Sequence, residues 1–226
     1  MSDTVHITLD GRSVETTRGA TVLEAARQAG TEIPTLCYDP RCAPNGLCRM
    51  CVVEAQGARL LQAACVTRVV EGMTITTEGP RITRARKTVL EMLAASTDLS
   101  ETPDALAQIA ETGADITRFV GGRERRPPVV ADNPMFVRDY AKCILCWRCV
   151  QVCADDAQYA FAINFDGRGF DTRIATFFDK PLPETTCVFC GQCVGVCPSG
   201  ALKPLRAWEL EKEETRPRET PNATEA

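Results

Sequence analysis

Twelve of the thirteen cysteines in this 226-residue chain sort into three sets of four. Two sets share one spacing. Cys143-Ile-Leu-Cys146-Trp-Arg-Cys149-Val-Gln-Val-Cys153 and Cys187-Val-Phe-Cys190-Gly-Gln-Cys193-Val-Gly-Val-Cys197 both read C-x2-C-x2-C-x3-C, and Pro198 follows the second. Soft thiolates on a tight, irregular loop can wrap a bulky inorganic core, and three of them two residues apart suit one [4Fe–4S] cube. In such runs the fourth cysteine crosses to the other cube. The spacing therefore assigns Cys143, Cys146, Cys149 and Cys197 to one cluster, and Cys153, Cys187, Cys190 and Cys193 to the second. Zinc also takes CxxC pairs, but its ribbons separate two pairs by a longer loop and do not crowd four cysteines into eleven residues. The chemistry expected is one-electron transfer.

The third set lies upstream and is less regular. Cys37 and Cys42 have four residues between them, as in the plant-type [2Fe–2S] spacing, but five rather than two separate Cys42 from Cys48. The alternative is C-x10-C-x2-C-x13-C, through Cys37, Cys48, Cys51 and Cys65.

Disulfides are disfavoured. Met1–Asp10 has no apolar h-region, the cysteine count is odd, and close CxxC runs without an export signal point to metal. A reducing, cytoplasmic setting is expected. The longest apolar stretches are too short to span a bilayer, so no direct membrane insertion is expected. A formal charge of −4 gives no ground for a nucleic-acid partner. The basic run Arg81–Lys87 reads as a solvated or subunit-facing helix face. Aromatics are only 6% of the chain, so clusters can replace part of the apolar core as staples.

The elements that must position these thiols follow from pattern. Val5–Leu9 alternates, Asp10-Gly11 is a hairpin turn, and Arg12–Thr16 can return as a second strand. Thr21 and Glu24 form a capping-box signature for a helix Val22–Ala29 that stops at Gly30. Strands are expected at Cys51–Ala55, Arg59–Ala64 and Met73–Thr77, after the cysteine-bearing loop. Pro80 opens a helix over Arg81–Ala95, and Thr102-Pro103 opens another to about Thr112. Gly113 and Gly121-Gly122 break structure, and Arg123–Pro134 reads as a linker. A hairpin insertion is expected within Phe161–Phe177. From Glu209 the tail reads as a helical turn or two, then disorder. The fold class is α+β. The expected division is a β-grasp [2Fe–2S] domain at 1–79, a helical spacer and linker at 80–134, a dicluster ferredoxin domain at 135–206 and a charged tail at 207–226.

Pro34-Thr-Leu-Cys37-Tyr-Asp, Gly46-Leu-Cys48-Arg-Met-Cys51-Val-Val-Glu54, Ala64-Cys65 and Glu71-Gly-Met73 resemble the N-terminal [2Fe–2S] domain of the iron–sulfur subunit of respiratory complex I. They are equally similar to the diaphorase small subunit of NAD-reducing hydrogenases and to the N-terminal part of NAD-dependent formate dehydrogenases. Arg84, Lys87 and Leu90-Glu91 continue the resemblance along the helix. The resemblance implies that Cys37, Cys48, Cys51 and Cys65 hold [2Fe–2S], leaving Cys42 as a loop thiol without a role. It implies one [2Fe–2S] and two [4Fe–4S] clusters, a flavin- and NAD(P)-binding diaphorase partner, and a terminal oxidoreductase such as hydrogenase or formate dehydrogenase. One departure stands out. The family's His-x3-Cys-x2-Cys-x5-Cys module would fall near Ser96–Gly113, yet no cysteine or histidine occurs from Val66 to Lys142. His6, the only histidine, reads as a surface or half-buried strand residue.

The chain shows no phosphate-cradling loop, no nucleophile–base pair and no flavin site, so catalysis is expected in partner chains. A free-standing multicluster carrier and a purely structural role for the clusters are the competing readings. The helices from Arg81 to Thr112 and the linker are expected to fold the two-cube module back against the first domain.

Overall fold

The computed structural model describes residues 4–119 and 125–215. Strands β1 (Thr4–Leu9) and β2 (Arg12–Thr17) form an antiparallel hairpin. Asp10 and Gly11, both at positive φ (47° and 79°), make the turn whose twist matches the strands. The helix α1 (Val22–Gln28) begins at the predicted capping box. The Thr21 hydroxyl accepts from the Glu24 N–H, and the Glu24 carboxylate accepts from the Thr21 N–H. Its buried Val22, Leu23, Ala25 and Ala26 cover Val5, Ile7 and Leu9 of β1. His6, on the opposite face, is exposed, 3.6 Å from Glu71.

Strands β3 (Val52–Ala55), β4 (Gln62–Ala63) and β5 (Thr74–Thr76) complete a sheet of order β2-β1-β5-β3-β4, with β5 parallel to β1. The strand expected at Arg59–Ala64 shortens to two residues. Leu60 is 69% exposed, and only Gln62 and Ala63 pair with β3.

Helix α2 (Pro80–Ala94) buries Ile82, Arg86 and Leu90 on one stripe at i, i+4 and i+8. The basic run is thus not wholly solvated. Arg86 is buried and donates to the carbonyls of Met50, Val52 and Thr77 at 3.1–3.2 Å, because its stripe faces the sheet's end. Helix α3 (Pro103–Thr112) stops at Gly113, whose φ of 64° is left-handed. Gly121-Gly122 lies outside the described residues.

The second half is built on two short pairs. Strand β6 (Phe136–Arg138) pairs with β9 (Leu202–Pro204), and β7 (Ile163–Asp166) pairs with β8 (Arg173–Thr176). The latter is the expected hairpin. Helices α4 (Arg148–Cys153) and α5 (Gln192–Gly195) carry the third cysteine of each run, and α4 ends on the fourth of its own. Helix α6 (Leu205–Thr215) starts earlier than the expected turn or two from Glu209. The tail beyond Thr215 lies outside the described residues. Among the described residues no helix is long and apolar enough to cross a membrane.

The two halves meet directly. Leu36 and Met50 of the first pack with Leu90 and Ala105 of the helices, with Leu99 of the turn between them and with Ile144 of the second.

Candidate metal centres

The two downstream cysteine runs fold alike. Leu145 and Phe189, each two residues after the first cysteine, have φ of 54° and 53°. Trp147 and Gly191, each four residues after it, both have φ of 73°. These left-handed residues turn the backbone N–H groups inward. Cys143 Sγ accepts from the Leu145 N–H and Cys187 Sγ from the Phe189 N–H, both at 3.4 Å. Cys153 Sγ accepts from the Ala162 N–H at 3.3 Å. In the upstream loop Cys37 Sγ accepts from the Cys48 N–H at 3.4 Å. Amide donors to sulfur favour the thiolate and tune a bound cluster.

The fold gathers the predicted sets. Cys143, Cys146, Cys149 and Cys197 line one cavity with Trp147 and Tyr140. Cys149 feels Cys143, Cys146 and Cys197, and also Cys193 of the neighbouring set. Cys193 feels Cys153, Cys190 and Cys187. Cys153 and Cys197 therefore each sit with the opposite run. Upstream, Cys37 is paired with Cys48 and Cys51 with Cys65; Cys51 also feels Cys48, and Cys65 feels Cys37. Among the described residues no three cysteine, histidine or carboxylate groups are close enough to hold a single metal ion.

The donor chemistry fits iron–sulfur cores. Burial pushes Cys143 up to about 11, and Cys146 and Cys193 up to about 12. Such thiols keep their protons unless a strongly positive core displaces them. Upstream, the hydrogen bond from Cys37 lowers Cys48 to about 6, and the bond from Cys65 lowers Cys51 to about 7. Each thiol pair there shares its proton unequally, a state that iron resolves by taking both sulfurs.

The upstream loop touches the downstream module through side chains that the pattern analysis passed over. Arg148, between Cys146 and Cys149, is buried and donates to the Leu36 and Tyr38 carbonyls, both at 2.7 Å. It lies 3.7 Å from Asp39. Arg41 binds Asp39 at 2.9 Å and the Gly195 carbonyl at 2.8 Å. Asn45 reaches the Cys146 carbonyl and Gln151. Cys42 is not an idle loop thiol: it is buried against Val152 and Val196, and its Sγ reaches the Arg148 carbonyl at 3.9 Å. Polar residues beside cysteines were the only available signal, and their partners lie about a hundred residues away.

The linker and the turn between α2 and α3 also contribute. Arg125 bridges the Thr97 hydroxyl and the Cys143 carbonyl. Over the first cavity, Phe165 of the β7–β8 hairpin meets Trp147 edge-on at 5.4 Å.

Comparison with known proteins fits this geometry. Residues 2–80 match the 2Fe-2S iron-sulfur cluster binding domain, and residues 142–201 match the 4Fe-4S dicluster domain. A crystal structure of NAD+-reducing [NiFe]-hydrogenase in the H2-reduced state contains a chain 32% identical to this one. The match has a TM-score of 0.80 and covers 90% of this chain and 88% of that one. This chain belongs to the iron–sulfur subunit family of complex I and NAD-reducing hydrogenases. The NADH-ubiquinone oxidoreductase 75 kDa subunit of Reclinomonas americana is 34% identical over 93% of this chain and 32% of its own length. The NADP-reducing hydrogenase subunit HndD of Solidesulfovibrio fructosivorans is 36% identical over 87% of this chain and 35% of its own. The chain thus spans about a third of the length of these curated relatives. Within the family it lacks the histidine and the three cysteines of the additional cluster module.

Proposed function

We propose that this chain is the electron-transfer subunit of a multisubunit NAD(P)-linked oxidoreductase, passing electrons between a partner flavin diaphorase subunit and a terminal enzyme such as a hydrogenase or formate dehydrogenase. Cys37, Cys48, Cys51 and Cys65 hold one [2Fe–2S] cluster. Cys143, Cys146, Cys149 and Cys197 hold one [4Fe–4S] cluster, and Cys153, Cys187, Cys190 and Cys193 the other. The bound clusters supply reversible one-electron storage. The chain's own residues supply thiolates, amide donors to sulfur, and exclusion of water from the buried first cavity. The chain has no catalytic site of its own, and it works in the cytoplasm. Its modules are taken as 1–79, 80–134, 135–206 and the tail 207–226.

The observation that carries this reading is the convergence of three thiol sets on one fastened body. Arg148 ties the loop after Cys37 to the helix that bears Cys149, so the sets are held at fixed separations, as stepwise tunnelling requires. A mobile free-standing carrier has less use for such fastening.

Iron and acid-labile sulfide analysis of anaerobically purified chain tests the cluster count. About ten irons per chain are expected from one two-iron and two four-iron centres. About fourteen would overturn the assignment. Affinity purification from the native host tests the partners. It is expected to bring down a flavoprotein with NADH or NADPH dehydrogenase activity, and recovery of the loaded chain alone would favour the free carrier.

A further inference from the structure

The two [4Fe–4S] thiol sets share a backbone but not their surroundings. Strand β6 runs into the turn that carries Cys143, and three residues before that cysteine stands Tyr140. Its ring is buried, 7% exposed, and lines the same cavity as Cys143, Cys146, Cys149 and Cys197. The hydroxyl lies within electrostatic reach of Cys149 and Cys143. Among the described residues it is one of four buried side-chain polar atoms without a hydrogen-bond partner, and Arg138 Nε is another. Arg138 cannot accept a proton, so it leaves the phenol's own hydrogen free. Buried hydroxyls are rarely left so, because an unmade hydrogen bond costs the full desolvation of the group.

The second run has no counterpart. The residue three before Cys187 is Glu184, which is exposed. The hydroxyls beside that run are already used. Thr185 donates to the Leu182 carbonyl and accepts from the Cys187 N–H, and Thr186 donates to the Ala160 carbonyl. The pseudo-repeat is thus broken at the first cavity, where the buried Tyr140 O–H stands in addition to Ser199, whose Oγ already lies 3.8 Å from Cys197 Sγ.

We propose that Tyr140 donates this hydrogen bond to a sulfur of the [4Fe–4S] cluster held by Cys143, Cys146, Cys149 and Cys197, and so raises that cluster's potential above its mate's. The proposal rests on the ligand assignment given above. A donor to sulfur stabilises the more negative, reduced state, so the direction is fixed by charge. Tyr140 is a tuning residue. It orders the two cubes energetically where the cysteine pattern alone would make them alike.

The test is potentiometric EPR on the full, cluster-loaded chain, with Tyr140→Phe beside wild type. Phenylalanine keeps the ring and removes only the donor. At a fixed potential near the midpoint, the reduced-to-oxidised ratio of one [4Fe–4S] signal is expected to fall about tenfold, a shift of about 59 mV for one electron. The other [4Fe–4S] signal, the [2Fe–2S] signal and the iron content stay as in wild type. Unchanged midpoints, or both [4Fe–4S] signals moving together, would overturn the proposal. Should Tyr140→Phe fail to load, 3-fluorotyrosine at position 140 keeps the shape and strengthens the donor. The same midpoint is then expected to rise, and no rise refutes the bond. Iron content separates the premise from the proposal: a count far from about ten faults the cluster assignment, whereas a full complement of iron with unmoved midpoints faults Tyr140.

Discussion

Replacing Arg148 with Met removes the guanidinium that joins the upstream cysteine loop to the downstream module, while keeping an aliphatic stem of similar length. Two strong bonds are lost, to the Leu36 and Tyr38 carbonyls at 2.7 Å each. The 3.5 Å contact to the Val196 carbonyl is too long to weigh much. Hydrogen bonds to a charged group contribute about 1.5–3 kcal/mol each, so the two contribute about 3–6 kcal/mol. Two features reduce the loss. Asp39 keeps its bond to Arg41 at 2.9 Å, so no carboxylate is stranded. Arg148 Nε is itself buried without a partner, and its removal returns about 1–3 kcal/mol of desolvation. The expected net cost is about 2–4 kcal/mol, all of it in docking. Hydrogen exchange measures this as earlier opening of amides in residues 36–48, with the sheet core unchanged. Pulsed dipolar EPR between the reduced [2Fe–2S] and [4Fe–4S] signals is expected to show a broadened distance distribution. A fully loaded variant with an unbroadened distribution and less than about 1 kcal/mol of lost protection would refute the idea that Arg148 fixes the spacing.

Cys42→Ser is expected to leave the [2Fe–2S] EPR signal intact, whereas Cys48→Ser abolishes or strongly distorts it; the reverse outcome would reassign the ligand set. Arg86→Met strands the carbonyls of Met50, Val52 and Thr77 and is expected to cost about 3–5 kcal/mol in denaturant titration of the loaded chain. Asp132 is desolvated, which raises its pKa, but the Leu182 N–H, Asn133 and the Arg138 guanidinium 2.5 Å away outweigh this and hold it below the usual carboxylate range. A depressed folded pKa contributes stability above the unfolded value of about 3.9 and loses it as pH falls through the folded value. Asp132→Asn is therefore expected to destabilise by about 3 kcal/mol, equally at pH 8 and pH 5. A penalty that changes between those two pH values would show that another group governs the clamp.

The local elements were legible because short-range chemistry fixes them. Thr21 and Glu24 close the capping box, Asp10-Gly11 makes the hairpin turn, and Pro80, Pro103 and Gly113 bound helices where proline and glycine are tolerated. The sorting of the last eight cysteines was legible because a ligand spacing is a distance constraint written into the chain. What escaped was long-range and polar. Nothing near Arg86 distinguishes it from Arg84, and only the phase of α2 against the sheet decides which one is buried. Trp147 gives no sign of its left-handed backbone; its mate Gly191 does. Arg148, Asn45 and Cys42 gained meaning only once residues about a hundred positions apart were adjacent.

That adjacency changes what the spacer does. The helices were expected to carry the two-cube module back against the sheet. They do pack between the halves, through Leu90 and Ala105, with Leu99 of the turn between them. Other contacts beside the thiols join the upstream loop directly to the cysteine-bearing segments: Arg148 of α4 to Leu36 and Tyr38, Asn45 to the Cys146 carbonyl, Arg41 to the Gly195 carbonyl. Each joins a residue within a few positions of one cysteine set to a residue within a few positions of another. The segment that lacks the additional module's histidine and cysteines acts as a brace that shares this fastening with the cysteine-bearing segments. Its part in the fastening is direct: Leu99 and Ala105 pack with Leu36, Met50 and Ile144, and the Thr97 hydroxyl accepts from Arg125, which also donates to the Cys143 carbonyl.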